Sequence, residues 1–400
     1  MTTIRRTKAA ALFLLCVMWS ALAPLQGATN RPAAVTFVKH VIDAEFPAIA
    51  ACAVDVDGDG RLDVVAAGGP GGWHSKWAYL VNWYKAPTWE RQPVCRLDTN
   101  AVILHIEAVD FTTKHTGAAG AAPAPEIAVL DGLFGEVWWF RYDRAAGKWN
   151  GTVIVKDLQF AHGTATGDID RDGYTDLLVP TQRKNPMDGM IWARNPGTPA
   201  ERQKLWPNHA VATNFILGCC HYVGLVDVNK DGRLDALHAA SLGQGWFGFW
   251  LQPTDPRKPW DLHVVNCPGK EATNLDGADM NGDGRIDLIG TEGHGVGVWW
   301  FPAPGYEAVR VDDTLTNTHC LALGDYTGDG AVDIATCGYA SQKVACFVNS
   351  GTGSFERVII DDNQCAYGAR AVDLDGDGDL DILLSGQNSG NLVWYENTRK

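Results

Sequence analysis

Seven times along the chain an apolar stretch runs into an acidic loop and out again into a β-branched stretch. The full form is Asp-x-Asp/Asn-x-Asp-Gly-x-x-Asp: "DVDGDGRLD" (55–63), "DIDRDGYTD" (168–176), "DVNKDGRLD" (227–235), "DMNGDGRID" (279–287) and "DLDGDGDLD" (373–381). "DYTGDGAVD" (325–333) is a weaker copy with Thr327 at its third position. A decayed copy starts at Asp110, is interrupted by the Ala/Gly/Pro-rich insert 112–125, and resumes at "EIAVLDG" (126–132). The starts are 46 to 59 residues apart. A period of that size means stacked or radially arranged units, none stable alone.

Each unit carries the same four extended segments. An apolar segment precedes the loop, a β-branched one follows, then an aromatic one, then a fourth such as "WERQPVCRL" (89–97) or "FERVIID" (355–361). The aromatic positions are Trp83, Trp139, Trp192, Trp250, Trp300, Phe347 and Trp394. Four short strands repeated in this way predict an all-β, seven-bladed β-propeller with four-stranded blades. The last repeat lacks a fourth strand, and "VTFVKHVID" (35–43) has no strands before it. The N-terminal strand, about 35–43, is therefore expected to complete the last blade, close the ring and remove the free edge.

The loops point to hard-cation chemistry. Carboxylate or amide oxygens at positions 1, 3, 5 and 9 can surround Ca²⁺, and Gly at position 6 allows the sharp turn. No sulfur or imidazole ligand is present to favour a softer metal. The candidate ligands are Asp55, Asp57, Asp59 and Asp63 in the first loop, and Asp168, Asp170, Asp172 and Asp176 in the third repeat. Asp227, Asn229, Asp231 and Asp235 follow, then Asp279, Asn281, Asp283 and Asp287. The sixth repeat offers Asp325, Asp329 and Asp333, and the seventh Asp373, Asp375, Asp377 and Asp381. Up to about six structural Ca²⁺ ions would bring about +12 against a net charge of −14. The competing reading is an Asp/Gly turn held by side-chain hydrogen bonds alone. Acid gathered in loops, with no basic face, argues against nucleic acid as a partner.

Residues 1–28 read as a signal peptide: Arg5, Arg6 and Lys8, then an apolar run over 9–23, then small residues. An uncleaved anchor is the alternative. The expectation is a secreted or periplasmic protein whose residues 29–400 form one propeller with no membrane span. Of ten cysteines none lies in a CxxC pair, so neither a zinc ribbon nor a dithiol redox motif is expected. Disulfides are compatible with an oxidising compartment. The adjacent Cys219 and Cys220 suggest a buried pair or vicinal disulfide.

Propeller topology puts the start of strand one, and the loop between strands two and three, on the face opposite the acidic loops. Six residues before the first Asp stand His162, His221, His319 and Tyr367, with Ile49 and Thr273 (then Asn274) in two other blades. His105 falls one residue later, so it needs a bulge to join them. His294 and His74 lie in strand-two-to-three loops, and Glu107 and Arg370 three before their Asp. Two readings compete. The histidines cap strand ends in a polar funnel, or they converge on a Zn²⁺- or Mn²⁺-like ion. In a variant of the second, they act as acid and base beside Tyr367 and Arg370.

The acidic loops between strands, with the aromatic strand after them, resemble the FG-GAP or VCBS repeats of calcium-binding propellers, relatives of integrin α-chain heads. The resemblance spans the chain after the N-terminal segment and implies fold and calcium. The chain also looks similar to the propeller part of aldos-2-ulose dehydratase and to propeller polysaccharide lyases. That likeness implies β-elimination on carbohydrate, which needs a base and a cation or Arg for the developing enolate. Mapped here, His162, His221 and His319 would be metal ligands or base, Tyr367 acid or base, Arg370 the charge neutraliser and His294 an added member. The dehydratase also carries a cupin domain, and nothing of the kind lies within these 400 residues. The competing class is a carbohydrate- or protein-binding or adhesion propeller, with Trp73, Trp77 and Trp246 as sugar-stacking candidates.

Overall fold

Strand pairing follows the repeat. In the computed structural model the described residues are 35–69, 79–98, 101–114, 125–158, 160–181, 189–213, 219–241, 245–266, 268–269 and 271–399. The expected signal peptide, His74, Trp73 and Trp77 lie outside them. Within them the chain forms seven four-stranded antiparallel sheets, each in simple up-and-down order. Blade one, for example, is Ala48–Val54, Asp63–Gly68, Leu80–Lys85 and Glu90–Arg96. The inner strands of successive blades lie side by side, and blade seven meets blade one. The result is a seven-bladed β-propeller.

Blade seven is built from both ends of the chain. Gly368–Val372, Asp381–Gly386 and Asn391–Asn397 are joined by Phe37–Asp43, which pairs Phe37 with Asn397 and Val41 with Val393. The expected closure is thus realised, two residues shorter at its start.

Position within a blade explains composition. Second strands lie between neighbouring blades, so both faces are covered; Asp63–Gly68, Asp333–Gly338 and Asp381–Gly386 are buried throughout. Continuous apolar or small-residue runs are the consequence. Outer strands have one solvent face, and Glu90–Arg96 is mostly exposed or half-buried. The aromatic strand supplies the wedge between blades: Trp139 and Trp192 are fully buried. Each such ring contributes about 2–3 kcal/mol by burial alone. Trp300 differs, being half-buried with its indole N–H donating to Asp287 Oδ2 at 3.1 Å.

A β-bulge recurs on the inner strands. In blades one, two, four and five the extra, unpaired residue is Ile49, Leu104, His221 and Thr273. Each stands six residues before its repeat's first Asp. A bulge re-aims its side chain out of the ladder's alternation, so this one level of the channel is presented differently from the rest. Among the described residues no helix is long and apolar enough to cross a membrane.

Candidate functional site

The acidic loops come first, since they anchor every blade. The carboxylate at position 1 closes the loop on itself: Gly58 and Gly60 N–H donate to Asp55, and Gly376 and Gly378 N–H to Asp373. Gly60 and Gly378 have φ of 87° and 97°, a region open to glycine and costly for other residues. The carboxylate at position 9 works differently. Asp63, Asp176, Asp235, Asp287, Asp333 and Asp381 are fully buried. Asp63 Oδ2 accepts the Val56 N–H and Oδ1 the Ala86 N–H, tying loop to strand three. The other five repeat this double bond. Burial pushes the Asp176 carboxyl up to about 8 and that of Asp381 to about 7.

Three loops bring carboxylate oxygens within 4.8 Å of one another: Asp55, Asp57 and Asp63; Asp168, Asp170 and Asp176; Asp373, Asp375 and Asp381. They are the loops with Asp, not Asn or Thr, at position 3. Basic side chains meet several candidate ligands: Lys85 on Asp57, Arg194 on Asp170 and Asp172, Arg233 on Asp231, and Arg285 on Asp283. A bound cation would compete with them.

Two parts of this framework escape the repeat pattern. In the decayed second blade Glu126 stands where the others have Asp at position 9. It accepts from Phe111 N–H, Thr112 Oγ1 and Trp139 Nε1. The extra methylene lets it span a loop of altered length. Next, amides two or three residues past the key aromatic staple blades three, four, six and seven each to the blade before. Asn195 donates to Phe111 O, Gln252 to Ile169 O, Asn349 to Met280 O and Asn397 to Tyr326 O. Their place two or three residues past the aromatic was a signal the sequence did contain.

On the opposite face four histidines meet. His162 and His319 lie just ahead of short inner strands, His221 occupies a bulge, and His294 sits in the turn between strands two and three of blade five. Ring centroids are 4.8 Å apart for His162–His221, 5.0 Å for His221–His294, 4.7 Å for His294–His319 and 5.7 Å for His221–His319. The Nε2 atoms of His221 and His294 are 3.2 Å apart. His294 gets there because Gly293 leaves room: a Cβ on it would lie 2.6 Å from Thr273 Oγ1 and 3.0 Å from His319 Cε1.

Three of these imidazoles are biased toward the neutral form. Burial, and then the neighbouring histidines, depress His221 and bring His319 down to about 3; burial also lowers His162. Neutral imidazole is the form that binds metal or accepts a proton. His162 Nδ1 donates to Phe160 O at 3.0 Å, which fixes the tautomer with the proton on Nδ1. Nδ1 of His221 is buried without a hydrogen-bond partner. The 3.2 Å separation matches two corners of a tetrahedron around zinc, about 3.3 Å for Zn–N near 2.05 Å. No three of the four rings yet bring one nitrogen each within the 4.8 Å reached by the acidic loops.

The other candidates divide. Tyr367 joins the cluster, stacked on His319 with centroids 4.7 Å apart, and Tyr339, not singled out in the sequence, stands 6.0 Å from the same ring. Ile49, Leu104 and Tyr367 belong to one apolar core cluster, so this level is apolar on one side and imidazole on the other. Arg370 goes elsewhere. It reaches from blade seven to blade two, donating to His105 Nε2 at 2.5 Å and Ile106 O at 3.3 Å. His105 therefore does not join the four: the bulge in its blade displaces Leu104, and His105 stays in the ladder facing Thr164 and Arg370. Trp246 is buried and stacks on His238, which removes it as an exposed sugar platform. Cys220 is buried with its Sγ 3.5 Å from His238 Nδ1, and the expected vicinal pairing falls on the Cys219 side chain, which lies outside the described residues. Cys52, Cys95, Cys320, Cys337, Cys346 and Cys365 are free thiols.

With blades and loops located, the comparison with known families can be placed on them. Residues 279–336 and 325–384 match the FG-GAP-like repeat. The FG-GAP-like spans run from the acidic loop of one blade into the next, across blades five to seven. Blades one, three and four repeat the same nine-residue frame outside the matched spans. No curated protein matches the chain.

Proposed function

We propose that the histidine-lined mouth is the functional centre, that it takes a zinc- or manganese-class ion, and that the protein acts there on carbohydrate by metal-assisted β-elimination. The observation that carries this reading is the convergence of His162, His221, His294 and His319 from four blades, with His221 and His294 Nε2 atoms 3.2 Å apart. His221 and His294 would hold the ion with His162 or His319. When bound, such an ion polarises a substrate oxygen. The Nε2 of a remaining histidine accepts the proton next to the carbonyl as the carbon–carbon double bond forms, and the imidazolium so made gives a proton to the departing β-oxygen, which leaves as water or an alcohol; stacking by Tyr367 keeps the His319 ring oriented. Arg370 is assigned no part, because its guanidinium serves His105. The acidic loops on the far face are read as Ca²⁺ sites that tie each blade's first turn, and the protein as an exported one.

The test is elemental analysis of the calcium-saturated protein, with assay on uronate and keto-sugar substrates. Zinc or manganese beyond calcium is expected, with an ultraviolet-absorbing unsaturated product that disappears in His221→Ala. A protein that holds calcium alone, is inert on the panel, and is retained on polysaccharide would instead be a binding propeller.

A further inference from the structure

A second polar site lies deeper in the channel. Three residues along the inner strands from the histidine level, about 10 Å at the usual strand rise, is a cavity of about 300 Å³. Its wall includes Glu107 of blade two, Thr166 of blade three, Asp276 of blade five and Arg370 of blade seven. The volume is at the small end of ligand pockets.

The hydrogen bonds here are unevenly met. The Arg370 guanidinium is occupied: it donates to Ala369 O, Ile106 O and His105 Nε2. Glu107 Oε1 accepts from Thr166 Oγ1 at 2.9 Å, while Glu107 Oε2 is buried and has no partner. Asp276 accepts the Gly277 N–H at 2.8 Å, and among the described residues neither carboxylate has a basic group within ion-pair distance. Burial pushes both carboxyls up, for Glu107 against the opposing pull of the Arg370 charge. An uncompensated buried carboxylate is costly, and each is relieved by a cation brought to it. The positive charge of Arg370 is felt by Glu107, but its N–H groups are spent on Ala369, Ile106 and His105, so no charged donor reaches either carboxylate. A metal ion fits poorly, because neither residue belongs to a cluster of converging ligand atoms. An extended organic cation can serve acceptors on separate walls. The net charge of −14 would draw such a ligand in.

We propose that the central channel binds a small primary-ammonium compound, a short diamine or an amino sugar, through Glu107 and Asp276. The inference is independent of the histidine reading. It is tested by calorimetric titration of the full-length, calcium-saturated protein with 1,4-diaminobutane, with glucosamine, and with glucose as the uncharged control. At least one amine is expected to bind, glucose to bind at least tenfold more weakly, and Asp276→Asn and Glu107→Gln each to weaken the amine tenfold or more. His221→Ala should retain amine binding. Which amine binds separates the alkyl from the sugar source. The proposal is overturned if neither amine binds, if glucose binds as tightly, or if both isosteric variants, shown folded by circular dichroism, leave the amine affinity unchanged.

Discussion

His221 and His294 are 73 residues apart in the chain, yet their Nε2 atoms lie 3.2 Å apart. One comes from a bulge in the inner strand of blade four and the other from a turn of blade five. If the pair is half of a metal site, either change, His221→Ala or His294→Ala, should weaken zinc or manganese binding about tenfold or more. The double variant should lose little beyond the singles, since the pair acts as a unit. Competition with a chromogenic chelator measures this. Full affinity in both single variants would remove the pair as ligands.

Gly293 tests the packing that brings His294 in. A methyl group there meets Thr273 Oγ1 at 2.6 Å, so Gly293→Ala must shift the turn. Overpacking of this kind costs about 1–3 kcal/mol. Urea denaturation should show that loss, together with weaker metal uptake.

The buried carboxylate at position 9 is expected to matter for stability even without a cation. Asp381 accepts the N–H groups of Leu374 and Asn397, and Asp381→Ala leaves both unmet. At about 1–3 kcal/mol for each orphaned group, the cost is about 2–6 kcal/mol. Asp377→Ala, on the exposed rim of the same loop, should change stability by less than about 1 kcal/mol. Denaturation in the presence of a chelator gives both values free of calcium. Equal effects would contradict the division of labour within the loop.

Acid should unfold the protein partly through His238. It is buried against Trp246, and burial alone brings its pKa down to about 3. The unfolded chain binds a proton near the ordinary value of about 6.5, so the unfolded state holds more protons between about 6.5 and 3. Stability therefore falls as pH falls through that window. At pH 4.5 this one group accounts for about 2–3 kcal/mol. His238→Phe keeps the stacking and should flatten the acid limb of a Tm-against-pH curve. An unchanged slope would show that other groups govern it.

Removing the closing strand should expose an edge. Without residues 35–43, Asn391–Asn397 keeps its pairing with Asp381–Gly386 but loses its outer partner and presents unpaired backbone groups. Concentration-dependent aggregation is expected, measurable by light scattering. A monomeric, equally stable product would mean that the ring does not depend on this strand.

Much of this architecture was legible in the chain because it is periodic. Seven acidic frames, a recurrent aromatic and one unmatched strand at each end define blades and closure, for no unit of this kind can bury its faces alone. The turn chemistry was legible too: Asp and Gly at fixed offsets restrict the backbone locally. The level of His162, His221 and His319 followed from counting back along one strand.

What periodicity cannot convey is where side chains go once the ring closes. Arg370 and Glu107 both stand three residues before their Asp, but Arg370 passes blade one, whose inner strand is Ala-rich, and ends at His105 of blade two. Glu126 could replace the aspartate of its loop only because the fold brings it to Phe111 N–H. His221 meets His294 through a bulge and a glycine whose effects depend on the neighbouring blade. The sequence by itself determined the blades, their order and the loops, since these rest on local spacing and burial. Tertiary structure alone decided which histidines meet and which carboxylates lack an ion-pair partner, since those distances are set by ring closure between residues far apart in the chain.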